Sequence, residues 1–61
     1  MYRATIDLKD HTVYHTEGYF KSIHDVLSDV YRRLDSDEID MIDIEYESDK
    51  GWSSVMLITA N

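Results

Sequence analysis

The chain has no cysteine, so no disulfide can brace it and no thiolate site can hold a structural metal. The same absence fits an intracellular protein, and the expected compartment is the cytoplasm, that of the host if the gene is viral. Apolar residues never run longer than Val55-Met56-Leu57-Ile58, far short of the roughly 20 needed to cross a bilayer. The opening Met1-Tyr2-Arg3-Ala4-Thr5 alternates instead of forming the apolar core of a signal peptide. An initiator Met followed at once by fold-forming sequence reads as a complete, unprocessed small protein. Bases are scarce as well: six Lys and Arg stand against 13 Asp and Glu, a formal charge of −7. That balance argues against direct contact with nucleic acid or an anionic membrane, because the phosphate attraction behind such binding turns into repulsion. It favours solubility and fast capture by basic partners. There is no glycine-rich phosphate loop, and Ser53-Ser54 lacks the glycines of a nucleophile elbow. A convex row of solvated carboxylates gives no reason for two pKa values to separate, so no enzyme is expected and no cofactor is implied.

What is present is one domain, 1–61, with an ordinary 43 % of hydrophobic residues. A domain of this size buries only about 60 % of the surface its unfolded chain exposes, so its core must be used fully. Residues 2–8 alternate, with Tyr2, Ala4, Ile6 and Leu8 on one face and Arg3, Thr5 and Asp7 on the other, which predicts a half-buried strand. Lys9-Asp10-His11-Thr12 is turn-like, and Val13 to Tyr19 reads as the returning strand. Ile23, Val26, Leu27, Val30, Tyr31 and Leu34 fall on one stripe of a 3.6-residue period, predicting a helix over 22–35. Ser22 stands where an N-cap belongs, Asp25 lies in the first turn and Arg32-Arg33 in the last, each matched to the helix dipole. Met41 to Glu47 alternates again; Asp49-Lys50-Gly51 is a turn; Trp52 to Thr59 is the last strand.

The resulting fold class is α+β: a ββαββ chain with one helix on one face of a four-stranded sheet. An apolar fourth strand suggests coverage of both its faces. With that strand inside and the acidic third at an edge, the expected sheet is mixed, in the order 2-1-4-3. Through Gly18-Tyr19-Phe20 before the helix and Asp49-Lys50-Gly51-Trp52 in the second turn, the layout resembles the small immunoglobulin-binding domains of bacterial surface proteins L and G. The resemblance implies a β-grasp arrangement and, by analogy, an adhesin-like module that binds through strand two and the helix.

A single helix covers one face only. On the other, a two-residue turn at Lys50-Gly51 places Met41, Asp43, Glu45 and Glu47 beside Trp52, Ser54, Met56 and Ile58. A three-residue turn would expose Val55 and Leu57 instead. Either way large apolar groups fringed by carboxylates face outward, which natural monomers rarely tolerate without a use. The plainer account is that the stems of Arg3 and Lys9 cover them. Eight acids, Asp35, Asp37, Glu38, Asp40, Asp43, Glu45, Glu47 and Asp49, occur with no base among them. Either they guard an edge strand or they imitate nucleic-acid phosphate. Alternate strand residues are about 6.8 Å apart, against a phosphate every ~3.4 Å of axis per DNA strand, so the acids of 35–40 would have to supply the remaining charge. His11, His15 and His24 read as surface residues, and Asp35-x-Asp37 lacks the glycine and distal Glu of a calcium loop, so no metal is expected. The seven aromatics read as packing, not as base-stacking platforms.

The functional expectation is therefore binding to a protein with a basic surface. Its specific form is an inhibitor of a nucleic-acid-handling machine, the kind that phages and mobile elements direct at polymerases, restriction or CRISPR systems. Trp52, Met56 and Ile58, or their register partners, would anchor, and Asp43, Glu45 and Glu47 would steer arrival. Asp37, Glu38, Asp40 and Met41 complete the expected partner-binding set. The alternative is a structural homodimer formed through the open face.

Overall fold

A computed structural model describes residues 1–60. Strand β1 (Tyr2–Leu8) turns through Lys9–Thr12 into a short β2 (Val13–His15); helix α1 (Ile23–Arg33) and a 3-10 turn (Ser36–Glu38) lead to β3 (Ile39–Ser48) and β4 (Gly51–Thr59). The fold is α+β, a four-stranded sheet with one helix, as the periodicities required.

The arrangement of the strands departs from expectation. The order is β2-β1-β3-β4 and every neighbouring pair is antiparallel, so the sheet is neither mixed nor in the order 2-1-4-3. The acidic strand is central and the apolar strand is the edge. Two physical causes account for this. The helix starts just after Phe20, which bridges Tyr2 at the start of β1, and its far end delivers the chain beside the end of β1, where Lys9 N–H donates to Glu38 O at 2.8 Å. A strand leaving that point runs back antiparallel to β1 and pairs with it directly. Burial makes the same choice: β3 supplies Ile39, Ile42 and Ile44 to the core, whereas β4 contributes only the partly buried Ile58. The strand with three buried isoleucines has to lie beneath the helix, at about 1.5–3 kcal/mol for each one removed from water.

Ala4 and Ile6 of β1, Val26 and Val30 of α1 and the three β3 isoleucines form the buried core. The Ser22 hydroxyl caps α1, accepting from Asp25 N–H at 3.1 Å. The helix closes at Leu34 and not Asp35, whose carboxylate instead caps the 3-10 turn by accepting from Asp37 N–H. Strand β2 is shorter than the expected 13–19 because Thr16 takes over the ladder with its side chain: its hydroxyl accepts Ala4 N–H at 3.0 Å. Gly18, at φ 74°, then turns the chain away.

Register was the open question for β4. Asp49-Lys50 spans the turn, with Ser48 opposite Gly51, whose φ of 102° is one that L residues rarely adopt. Glu47, Tyr46 and Glu45 then oppose Trp52, Ser53 and Ser54, but Ile44 opposes Met56. Val55 is the extra residue of a β-bulge, and beyond it every side chain changes face. The turn is therefore Asp49-Lys50 and not the expected Lys50-Gly51; the facing expected of a two-residue turn holds before the bulge, and that expected of a three-residue turn holds beyond it.

Candidate protein-binding face

The uncovered face is built from the strand pairings. Arg3, Thr5 and Asp7 of β1 stand beside Glu45, Asp43 and Met41 of β3, which stand beside Ser54, Leu57 and Thr59 of β4; Glu47 faces Trp52 at the end nearest the β3–β4 turn. Val13 and His15 of β2 complete it. Four carboxylates (Asp7, Asp43, Glu45, Glu47) therefore share this face with the guanidinium of Arg3. Asp43, Glu45 and Glu47 form a straight row on a central strand, about 6.8 Å apart. A central strand needs no charges to guard an edge, so the protective account of these acids loses its physical basis.

Two of the three carboxylates have partners. Ser54 Oγ donates to Asp43 Oδ1 at 2.6 Å, and Arg3 Nε donates to Glu45 Oε1 at 3.0 Å. The Arg3 guanidinium also lies over the Trp52 ring, 4.0 Å from its centroid, and Tyr19 packs on the same ring at 5.2 Å. One end of the face is thus a preorganised stack of Tyr19, Trp52 and Arg3, with Glu45 fixed at its side. The expectation that Arg3 partly covers the apolar groups holds here. It does not extend to Leu57, whose side chain stands 59 % exposed beside Asp43.

Of the expected site residues, Met41, Asp43, Glu45, Glu47 and Trp52 share the open face. Met56 and Ile58 do not: the bulge at Val55 turns both to the helix side, opposite Ile44 and Ile42, and Leu57 takes the outward place. Asp37 and Glu38 sit at the far end of the sheet, around a recess of about 210 Å³ shared with Leu8, Lys9 and Asp10. Asp40 is exposed where the β1–β3 register skips a residue. The acids of 35–40 therefore lie at one end of the β3 row and do not fill the gaps within it.

Tyr19 escaped the sequence reading; the only signal for it was Gly18, the residue able to aim it back across the sheet. Asp29 escaped as well. It is 95 % buried on the flank of α1, where Arg32 Nη2 and Arg33 Nε donate to its Oδ1 at 2.7 and 3.0 Å. The Arg33 hydrogen bond, joined by that from Arg32 and by both positive charges, holds the Asp29 carboxyl below its ordinary 3.8 against the upward pull of burial. The i, i+3 and i, i+4 spacing of these residues was the readable signal. In the first turn, the Thr12 hydroxyl and then its N–H likewise lower the Asp10 carboxyl. Among the described residues no three His, Asp or Glu side chains converge on a common point, and no helix is long and apolar enough to cross a membrane. No family model, no curated protein and no solved structure matches the chain.

Proposed function

We propose that this chain is a small acidic protein-binding protein whose uncovered sheet face occupies a basic, nucleic-acid-binding surface of another protein. This is the manner of inhibitors that phages and mobile elements direct at host or defence machinery. The observation that carries the reading is the in-line row of Asp43, Glu45 and Glu47 on a central strand. Charge placed there cannot be explained as edge protection, and it repeats along a surface that the helix leaves open. The half-covered Trp52 and the exposed Leu57 flank the row as apolar contacts, and the stack on Trp52 lowers the entropy lost when a partner lands. The acids set arrival rate and register; the apolar pair sets residence time.

The test is retention of proteins from a bacterial lysate on the immobilised chain, followed by elution with duplex DNA. A supporting result is a protein that DNA displaces, that the triple variant Asp43→Lys, Glu45→Lys, Glu47→Lys fails to retain, and whose association rate falls steeply with salt. Retention that is equal for the variant and indifferent to DNA and salt would contradict the proposal.

A further inference from the structure

The edges of a sheet carry unpaired backbone groups, and the outer edge of β4 is unusual in what surrounds them. Its nine residues, Gly51 to Thr59, contain no ionisable side chain. Val55, Met56 and Leu57 are 50, 40 and 59 % exposed. Ala60 N–H donates inward to Asp40 O, so by the two-residue alternation of a strand Ile58 and Met56 also turn their backbone groups toward β3. Those of Leu57 and Thr59 therefore point to the free side, where no described residue pairs with them. A long, uncharged, apolar edge of this kind is a template for another strand.

We infer that the occupant is β4 of a second copy, paired antiparallel about a two-fold axis at Leu57, to give a continuous eight-stranded sheet. Three features select a copy of this chain over a foreign strand. First, the sequence is complementary to itself in that register. Leu57 meets the partner's Leu57 on the open face, and Met56 meets the partner's Ile58 on the helix side, so apolar groups face apolar groups at the centre of the pairing, and Thr59 meets the partner's Val55 beyond it. Second, the helix side offers a seat. A recess of about 170 Å³ beside Tyr31 is floored by Ile39, Ile42 and Ile58, and the partner's Met56 would stand next to it. Third, the charges permit it. Each acidic row lies one strand in, so the rows of the two copies are three strand spacings, about 14 Å, apart, beyond the roughly 8 Å screening length at physiological salt. Pairing at this edge thus lets a strongly acidic chain self-associate without bringing its acidic rows together. The inference does not rest on the proposed function, since it concerns the edge of the sheet and not its acidic row.

The test is sedimentation velocity of the intact chain from about 1 to 300 µM, the range suited to an interface smaller than the standard 1,600 Å². Wild type should pass from monomer to dimer within it. Leu57→Lys and Leu57→Glu, both at an exposed position, should keep the wild-type circular dichroism yet weaken self-association at least about tenfold, an equivalent of ~1.4 kcal/mol. Mixed in equal amounts, they should restore a 1:1 dimer, because opposite charges then meet on the axis. A wild type that stays monomeric throughout would overturn the inference, and so would a dimer that survives both substitutions or a mixture that fails to pair.

Discussion

The two edges of the sheet are finished in opposite ways. Strand β2 presents three residues; the Thr16 hydroxyl takes its next ladder bond, and the Tyr2–Phe20 bridge closes the same side of β1 further along. Strand β4 presents nine residues without a charge, broken only by the bulge at Val55. The helix repeats the contrast. Asp29 clasps Arg32 and Arg33 on one flank, where Arg33 also feels the charge of Glu17, while Tyr31 stands 48 % exposed over the recess on the other. One side of the molecule is finished by its own loop and ion pairs; the other is left as apolar surface and unpaired backbone. The lesson is that acidity in this chain does not guard its vulnerable edge. The acids are concentrated one strand inward, on the face, where they are free to act on something else.

The sharpest way to break the comparison is to cut the same residue type from the two sides of one cross-strand pair. Ile42 and Ile58 face each other, Ile42 fully buried on the central strand and Ile58 half-buried at the edge. Ile42→Ala should cost about 2–5 kcal/mol, a large part of the ~5–15 kcal/mol available to a typical domain, and leave much of the chain unfolded in thermal or urea melts. Ile58→Ala should cost less than half as much, measured where the chain is monomeric. Equal losses would mean that the fourth strand is as deeply packed as the third.

A smaller effect probes the clasped flank. The Asp29 carboxyl is held below its ordinary 3.8 in the fold. Its contribution to stability is therefore fully present above that value and is lost as pH falls through the lower folded one. Asp29→Asn should melt below wild type at pH 7, and the gap should close between pH 3.8 and the more acidic range. A gap that persists in acid would show that Asn loses packing and not the paired charge.

Much of this fold was legible because periodicity reports which face a residue occupies. The stripe of α1, its Ser22 cap, the alternation of β1 and β3 and the common face of Asp43, Glu45 and Glu47 all follow from spacing alone. Periodicity is silent on which strand lies next to which. The run Val55–Ile58 read as a strand covered on both faces, yet the same run arises when a bulge interrupts an edge strand and reverses its alternation halfway along. The exchange of Met56 and Ile58 for Leu57 on the open face has that single cause. The stack on Trp52 was out of reach for another reason: Tyr19 arrives from a loop, and its approach depends on the turn at Gly18 and on where β1 ends, both tertiary facts.

Both the acidic face and the free edge depend on the acidic strand being inside the sheet and the neutral one outside. Amide hydrogen exchange on monomeric Leu57→Lys reads that directly. Consecutive amides from Asp43 to Glu47 should all be slow, while those at position 57 and Thr59 exchange orders of magnitude faster than those of Met56 and Ile58. Uniformly slow amides along residues 55–59, with fast and slow alternating along residues 41–47, would place the strands the other way round and contradict the account.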